Sequence, residues 1–240
     1  MKVCGAQTRP VKGDIAANMD RHKALLELAG DADVVVFPEL SLTGYEPTLA
    51  GKLAIDSNDE RLNEFQAISD AKGIAIGVGL PTRSTARACI TLLLFLPHRS
   101  RLAYSKRYLH PDEEPFFVSG ENVTTVDVNR TVIAPAICYE LSIPDHAENA
   151  FRSGASVYMA SVAKTAQGLD AALPRLAGIA RQYCMTVLMA NCVGECDGCY
   201  CAGQTSAWNK KGCLVGQLSD RDEGILMIDT TTEEIVARTL

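Results

Sequence analysis

Short apolar runs recur along the chain and set its grain. They fall at 33–37 (DVVVF), 74–80 (IAIGVGL), 91–96 (TLLLFL), 132–137 (VIAPAI), 156–160 (SVYMA) and 186–191 (TVLMAN). Their length and β-branched content predict buried strands rather than helices. Between them the spacing changes to that of amphipathic helices. Leu25, Leu26 and Leu28 stripe a helix over 16–28 with Asp14 as its cap, and a second helix over 59–72 stops at Gly73. A third spans 145–153, ended by Gly154, and a fourth spans 171–183, broken at its start by Pro174. A hairpin joins 91–96 to 102–105 around Pro97, His98 and Arg99, while LSLTGYEP (40–47) is a loop by composition. Short strands at 1–6, 204–208, 212–217 and 224–229 complete the pattern. Strand and helix alternate with no repeat or linker, which predicts one α/β domain over residues 1–240 with a mixed sheet.

Three polar residues directly follow strand-like runs: Glu39 after DVVVFP, Lys106 after RLAYS and Cys138 after TVIAPAI. Strands that are neighbours in one sheet would bring all three to one edge, where open α/β folds place ligands. Together they suit nucleophilic chemistry. A thiol is mostly protonated at neutral pH and needs a base; a carboxylate can take the proton, and an ammonium can steady an oxyanion. Each residue alone has a plainer explanation. Cys138 could be a buried small hydrophobe, Glu39 a loop carboxylate or helix cap, and Lys106 a solvated charge beside Arg107.

Composition narrows the classes. The net charge of -6 over 240 residues argues against a nucleic-acid surface, which would need a basic stripe. No apolar run approaches the ~20 residues that cross a bilayer, so no membrane partner is expected. The first residues lack the features of a signal peptide, and the nine cysteines are odd in number. Free thiols in a reducing cytoplasm are the simplest expectation. Cys192, Cys196, Cys199 and Cys201 leave a zinc- or thiol-binding role open, although their spacing departs from paired CxxC knuckles. A Cys–His hydrolase is a further alternative, with His146 or His110 beside Cys138.

FPELSLTGY, SKRYLHPDEEPFFVSG and ICYELSIP, in that order, resemble the nitrilase superfamily of carbon–nitrogen hydrolases. MKVCGAQ…GDIAANMDR, AIGVGLP, VLMANCVG and GQTSAWNKKG extend the resemblance over nearly the whole chain. It implies a four-layer α-β-β-α sandwich with mixed sheets and catalytic roles for Glu39, Lys106 and Cys138. It also implies a second glutamate after the lysine, for which Glu113 is favoured and Glu114 is the fallback. Tyr45, His110, Glu114, Tyr139, Glu140, Ser161 and Val162 are candidate pocket residues by proximity to the motifs. The implied substrate is a small amide, carbamoyl compound or nitrile, attacked through a thioester without metal or organic cofactor. Tyr139 and Glu140 do not match the tryptophan-containing pattern of true nitrilases, which favours an amidase. A homodimer or higher homo-oligomer is expected. Pro135 inside a strand and Gln182 before VLMAN depart from the pattern, and a long carboxyl-terminal arm is not expected.

Overall fold

The apolar runs form strands whose alternate side chains serve two different cores. Val34 and Val36 enter one apolar cluster, while Val35 and Phe37 enter another. Val157 and Met159 join the first cluster, while Tyr158, Ala160 and Val162 join a third. A strand covered on both faces needs no polar positions, which is why these runs read as continuous rather than alternating.

The computed structural model describes residues 1–121 and 125–240. Strand β1 (Lys2–Gln7) leads through helix α1 (Ile15–Ala29) to β2 (Val34–Val36). The short α2 (Ala50–Leu53) and α3 (Asn63–Lys72) precede β3 (Ala75–Arg83), β4 (Ala88–Phe95) and β5 (Leu102–Ser105). Then come β6 (Val126–Val128), β7 (Thr131–Ile137), α4 (Pro144–Arg152), β8 (Val157–Val162), α5 (Ala166–Tyr183) and β9 (Thr186–Asn191). The remainder is strand: β10 (Val193–Cys196), β11 (Cys199–Ala202), β12 (Ser206–Trp208), β13 (Leu214–Gln217), β14 (Gly224–Asp229) and β15 (Ile235–Thr239).

Two sheets and a separate β10-β11 hairpin result. The seven-stranded sheet runs β15-β14-β1-β2-β3-β4-β5 and the six-stranded sheet β13-β12-β9-β8-β7-β6. Both are parallel at the centre and antiparallel at the margins. Each parallel step needs a crossover, supplied by α1 and α3 in one sheet and by α4 and α5 in the other. The first cluster lies between the sheets. The second lies under α1 and α3, and the third under α4 and α5. The layers are therefore α-β-β-α, with two mixed sheets instead of the single one that strand order alone suggests.

Local departures have local causes. The expected helix over 59–72 is a 3-10 turn at Glu60–Leu62 followed by α3, with Asp59 capping Arg61 N. Helix α5 begins five residues earlier than expected, because Thr165 Oγ1 caps Gly168 N and the buried Leu169, Ala172 and Leu176 hold its face across Pro174. Strands β6, β10, β11 and β15 were not expected. Pro135 fits because Ile137 N donates to Glu140 Oε2 rather than to β8. Strand parity puts the Pro135 nitrogen on that same side, beyond the end of β6, where no ladder donor is needed.

Candidate active site

Glu39 follows β2 in a loop clamped to β3. Phe37 N donates to Gly77 O (2.8 Å) and Leu42 N to Gly79 O (2.9 Å). Gly79 makes the approach possible: a Cβ there would lie 2.2 Å from Pro38 O and 2.6 Å from Leu40 N. Leu40, next to the carboxylate, takes a left-handed φ of 50°. From the other sheet, Ser161 Oγ donates to Phe37 O at 2.8 Å. Beneath the loop, His22 meets Ser41 Oγ (2.9 Å) and Asn18 O (2.6 Å) and stacks on Phe37 with centroids 4.0 Å apart.

Burial pulls the His22 pKa down to about 4, only partly opposed by its bond to Asn18 O. The folded chain thus holds His22 neutral where the unfolded chain, with a pKa near 6.5, takes a proton. Stability from this site should be complete above about pH 6.5 and fall away toward pH 4, by up to ~3 kcal/mol. The check is thermal unfolding from pH 7 to pH 4: wild type should lose more stability across that window than His22→Gln. Parallel curves would refute the assignment.

Lys106 continues the line of β5. Its N donates to Ile90 O and its O accepts from Gly120 N, both at 2.8 Å, so the backbone is fixed on both sides. The side chain is fully buried, and Nζ donates to Glu39 Oε1 and to Glu113 Oε1 at 2.7 Å each. Glu113 closes a 3-10 turn at Pro111–Glu113, accepts from Tyr45 Oη (2.9 Å) and accepts from His110 N (2.8 Å). Glu39 Oε2 is buried without a hydrogen bond of standard geometry.

Cys138 directly follows β7 and opens the 3-10 turn Cys138–Ser142, with a φ of 41°. Such a conformation in a non-glycine residue costs on the order of 1–3 kcal/mol and persists only where its surroundings impose it. Glu140 is what imposes it. Fully buried, it accepts from Ile137 N (2.8 Å), Arg107 N (2.7 Å) and Tyr104 Oη (2.6 Å). One carboxylate therefore ties the turn that carries Cys138 to the segment that carries Lys106.

Electrostatics make both the thiol and the carboxyl hold their protons more readily than when free. Burial raises the Glu39 pKa, helped by Glu113 and opposed by Lys106 and by the neighbouring Cys138. Burial and the Glu39 charge raise Cys138, while Lys164 and Lys106 draw it back. For Lys106, burial acts downward, but Glu39, Cys138 and Glu113 outweigh it and keep the ammonium charged. Tyr45 stays a neutral donor, its pKa lifted by burial and by the carboxylates.

The structure brings Glu39, Lys106, Glu113, Tyr45 and Cys138 together and disperses several other candidates. Glu114 is exposed, its carbonyl held by Arg87, in a surface groove that also includes Tyr139. His110 caps the Glu113 turn and meets the Tyr139 ring edge-on at 5.1 Å, away from any role as a base. Glu140 cannot bind substrate directly, because its oxygens are occupied by protein donors. The Ser161 hydroxyl is spent on Phe37 O, and the Val162 side chain enters the core under α4 and α5. A Cys–His pair fails similarly: both His146 ring nitrogens meet tyrosine hydroxyls, Tyr104 and Tyr158, at 2.8 Å. The cysteine cluster does not converge as one group. Cys196 and Cys201 form a disulfide across β10-β11, Cys199 is exposed, and no group of three or more His, Cys, Asp or Glu among the described residues could hold a metal ion. That disulfide equally corrects the expectation that every thiol is free.

Two further residues act on this site: Cys192, which the sequence offered only as part of the cysteine cluster, and Lys164, which carried no sequence signal. Cys192 is buried, and its pKa is driven up by burial and by the charges of Glu39 and Cys138. Lys164 lies two residues past β8 and acts on Cys138 from the far side of Lys106 in sequence.

Comparison with known proteins agrees with this arrangement. A hydrolase encoded in the pqqF 5' region of Pseudomonas protegens is 31% identical over 170 residues, covering 68% of this chain but only 59% of that protein. An (R)-stereoselective amidase from a Pseudomonas species is 28% identical, with 99% of this chain and 87% of the relative covered. In fold, the chain is similar to the NitN amidase of Nesterenkonia sp. AN1, with a TM-score of 0.86, 23% identity and coverage of 95% and 92%. The profile of one family, carbon-nitrogen hydrolase, matches residues 2–238. Matched from the first strand to the last, the chain belongs to the carbon–nitrogen hydrolases.

Proposed function

We propose that this chain, acting as one catalytic domain over residues 1–240, hydrolyses the C–N bond of a small amide or carbamoyl compound through a Cys138 thioester. The observation that carries the reading is Lys106, buried and bonded at 2.7 Å to both Glu39 and Glu113 beside the Cys138 thiol. The Nesterenkonia amidase, solved with butyramide and with acrylamide, supports an amide as the substrate class.

In this reading Glu39 takes the thiol proton and the sulfur attacks the carbonyl carbon. Negative charge gathers on the carbonyl oxygen, facing Lys106 Nζ and the Tyr139 N–H; one such donor is typically worth about 3 kcal/mol. As the C–N bond breaks, Glu39 passes its proton to the departing ammonia or amine, leaving a thioester. Water then gives a proton to Glu39 and attacks the thioester carbon. The C–S bond breaks, the acid leaves and the proton returns to sulfur. Glu113, steadied by Tyr45 and His110 N, holds Lys106 in place throughout.

The test is ammonia release from a panel of amides, carbamoyl compounds and nitriles, with Cys138→Ala as the blank. Turnover of amides that disappears in the blank is expected. Turnover that survives there would remove Cys138 from the mechanism. Assembly of two or more copies and a cytoplasmic setting belong to the same proposal.

A further inference from the structure

We propose that His146 is a positioning residue for the hydrolysis: held as its Nε2–H tautomer between Tyr158 and Tyr104, it fixes through Glu140 the set of the Cys138 turn against Lys106. The proposal rests on the amidase reading above, although its placement of the proton does not.

Four side chains stand in one line. Tyr158 Oη lies 2.8 Å from His146 Nδ1, His146 Nε2 lies 2.8 Å from Tyr104 Oη, and Tyr104 Oη lies 2.6 Å from Glu140 Oε2. The last member sets the direction of every proton in the line. Glu140 faces backbone donors, Ile137 N (2.8 Å) on Oε2 and Arg107 N (2.7 Å) with Tyr108 N (3.4 Å) on Oε1. An ionised carboxylate accepts and cannot donate, so the single Tyr104 hydroxyl proton goes to Oε2. The Tyr104 oxygen is then an acceptor toward the ring, and Nε2 must carry the imidazole proton. A neutral imidazole has one N–H, which leaves Nδ1 as a lone pair that takes the Tyr158 hydroxyl proton. Burial keeps the ring neutral, pushing the His146 pKa down against the pull of Glu140. The opposite tautomer would set two lone pairs against each other at Tyr104.

The line joins the parts that the reaction needs in register. His146 is on α4, the helix that follows the Cys138 turn, and Tyr158 is on β8 of the six-stranded sheet. Tyr104 is on β5 of the seven-stranded sheet, two residues before Lys106. The ring is therefore a strut between the sheet that carries the sulfur and the sheet that carries the ammonium. The turn needs one, because the left-handed φ of 41° at Cys138 persists only while its surroundings impose it. Donation from Nε2–H also polarises the Tyr104 hydroxyl and strengthens its bond to Glu140. The ring is only 11% exposed, so little water can stand in for it.

Nitrogen-15 NMR of histidine-labelled protein reads the tautomer with no substrate present. The chain has four histidines, so the signals lost in His146→Gln assign the ring. A pyrrole-type Nε2 and a pyridine-type Nδ1 are expected; the reverse pattern, or an average of the two, would overturn the proposal. In kinetics, His146→Phe should lower kcat by about 10–100-fold with KM little changed, the scale of a small misplacement of reacting groups. Tyr104→Phe should cost at least as much, and the double variant no more than Tyr104→Phe alone, because both cut one line. Additive losses, or an unchanged kcat in folded His146→Phe, would mean that the ring supports stability only.

Should His146→Phe fail to fold, the amide variants carry the test. His146→Gln places an N–H donor near the Nε2 position and should keep most of the rate; His146→Asn, reaching only as far as Nδ1, should not. Equal rates in the two would overturn the role. Alkylation of Cys138 by iodoacetamide, followed against pH by peptide mass spectrometry, makes the same comparison without turnover. Burial and the Glu39 charge hold the thiol pKa up in the intact site. A slackened turn should move the profile of His146→Asn down toward that of an ordinary thiol and leave that of His146→Gln in place. An unmoved profile in His146→Asn would overturn the positioning role even if no amide proved to be a substrate. Failure of the amidase reading would show separately, as an absence of ammonia from every compound offered to wild type.

Discussion

Glu39→Gln should lower amide hydrolysis by about 10²–10⁴-fold, the range for removing a positioned general base. The substitution keeps the shape and leaves Lys106 paired with Glu113, so the fold should persist. What disappears is the proposed acceptor for the thiol proton. The pH profile separates this from a structural effect. Burial lifts the Glu39 pKa, so in wild type the acid limb of kcat/KM should lie above the ordinary carboxylate range. Below that limb Glu39 is protonated and cannot accept from sulfur; above it the base is available. In Glu39→Gln the residual rate should no longer follow that limb. A variant with near-wild-type rate, or with the limb unmoved, would end the assignment of Glu39 as base.

Lys106→Met should be the most destabilising single change in the site. It removes the cation from between two buried carboxylates and leaves them facing each other. Breaking a buried ion pair by deleting one partner costs about 3–5 kcal/mol. At ~2–4 °C per kcal/mol for a domain of this size, the midpoint of thermal unfolding should fall by roughly 6–20 °C. The deficit should shrink as pH falls, because protonating either carboxyl relieves the repulsion. The double variant Lys106→Met with Glu113→Gln should recover part of the loss, since only one uncompensated charge then remains. An unfolding midpoint unchanged in Lys106→Met would mean that the buried pairings contribute nothing. Hydrolysis should be lost along with the charge, and the double variant should not restore it.

The strands at the centre of both sheets could be read from the sequence because their physics is local. A run such as DVVVF or SVYMA, covered on both faces, announces itself in composition. The residues ending those runs could be placed for the same reason, and Glu39 and Cys138 sit where strand ends predict. Side-chain direction was harder. Ser161 and Val162 adjoin the nucleophile's strand, yet parity turns Val162 into the outer core and the Phe37 carbonyl takes the Ser161 hydroxyl. Glu113 and Glu114 are indistinguishable as letters; the 3-10 turn at Pro111 buries one and exposes the other. Lys164 carried no signal because nothing in its neighbours' identities reports that β8 ends beside β7. The hairpin β10-β11 carries no clear alternation of apolar and polar residues, although its cysteines pack with Tyr45.

Glu39 and Lys106 ride on the seven-stranded sheet, while Cys138 rides on the six-stranded one. The reactive centre is thus a seam, assembled only when the two sheets pack in register across their shared core. An early thermal or denaturant-induced slippage along that seam would silence turnover while leaving the peptide-bond circular dichroism almost intact. Loss of catalysis ahead of loss of ellipticity would then be the signature of how this molecule comes apart.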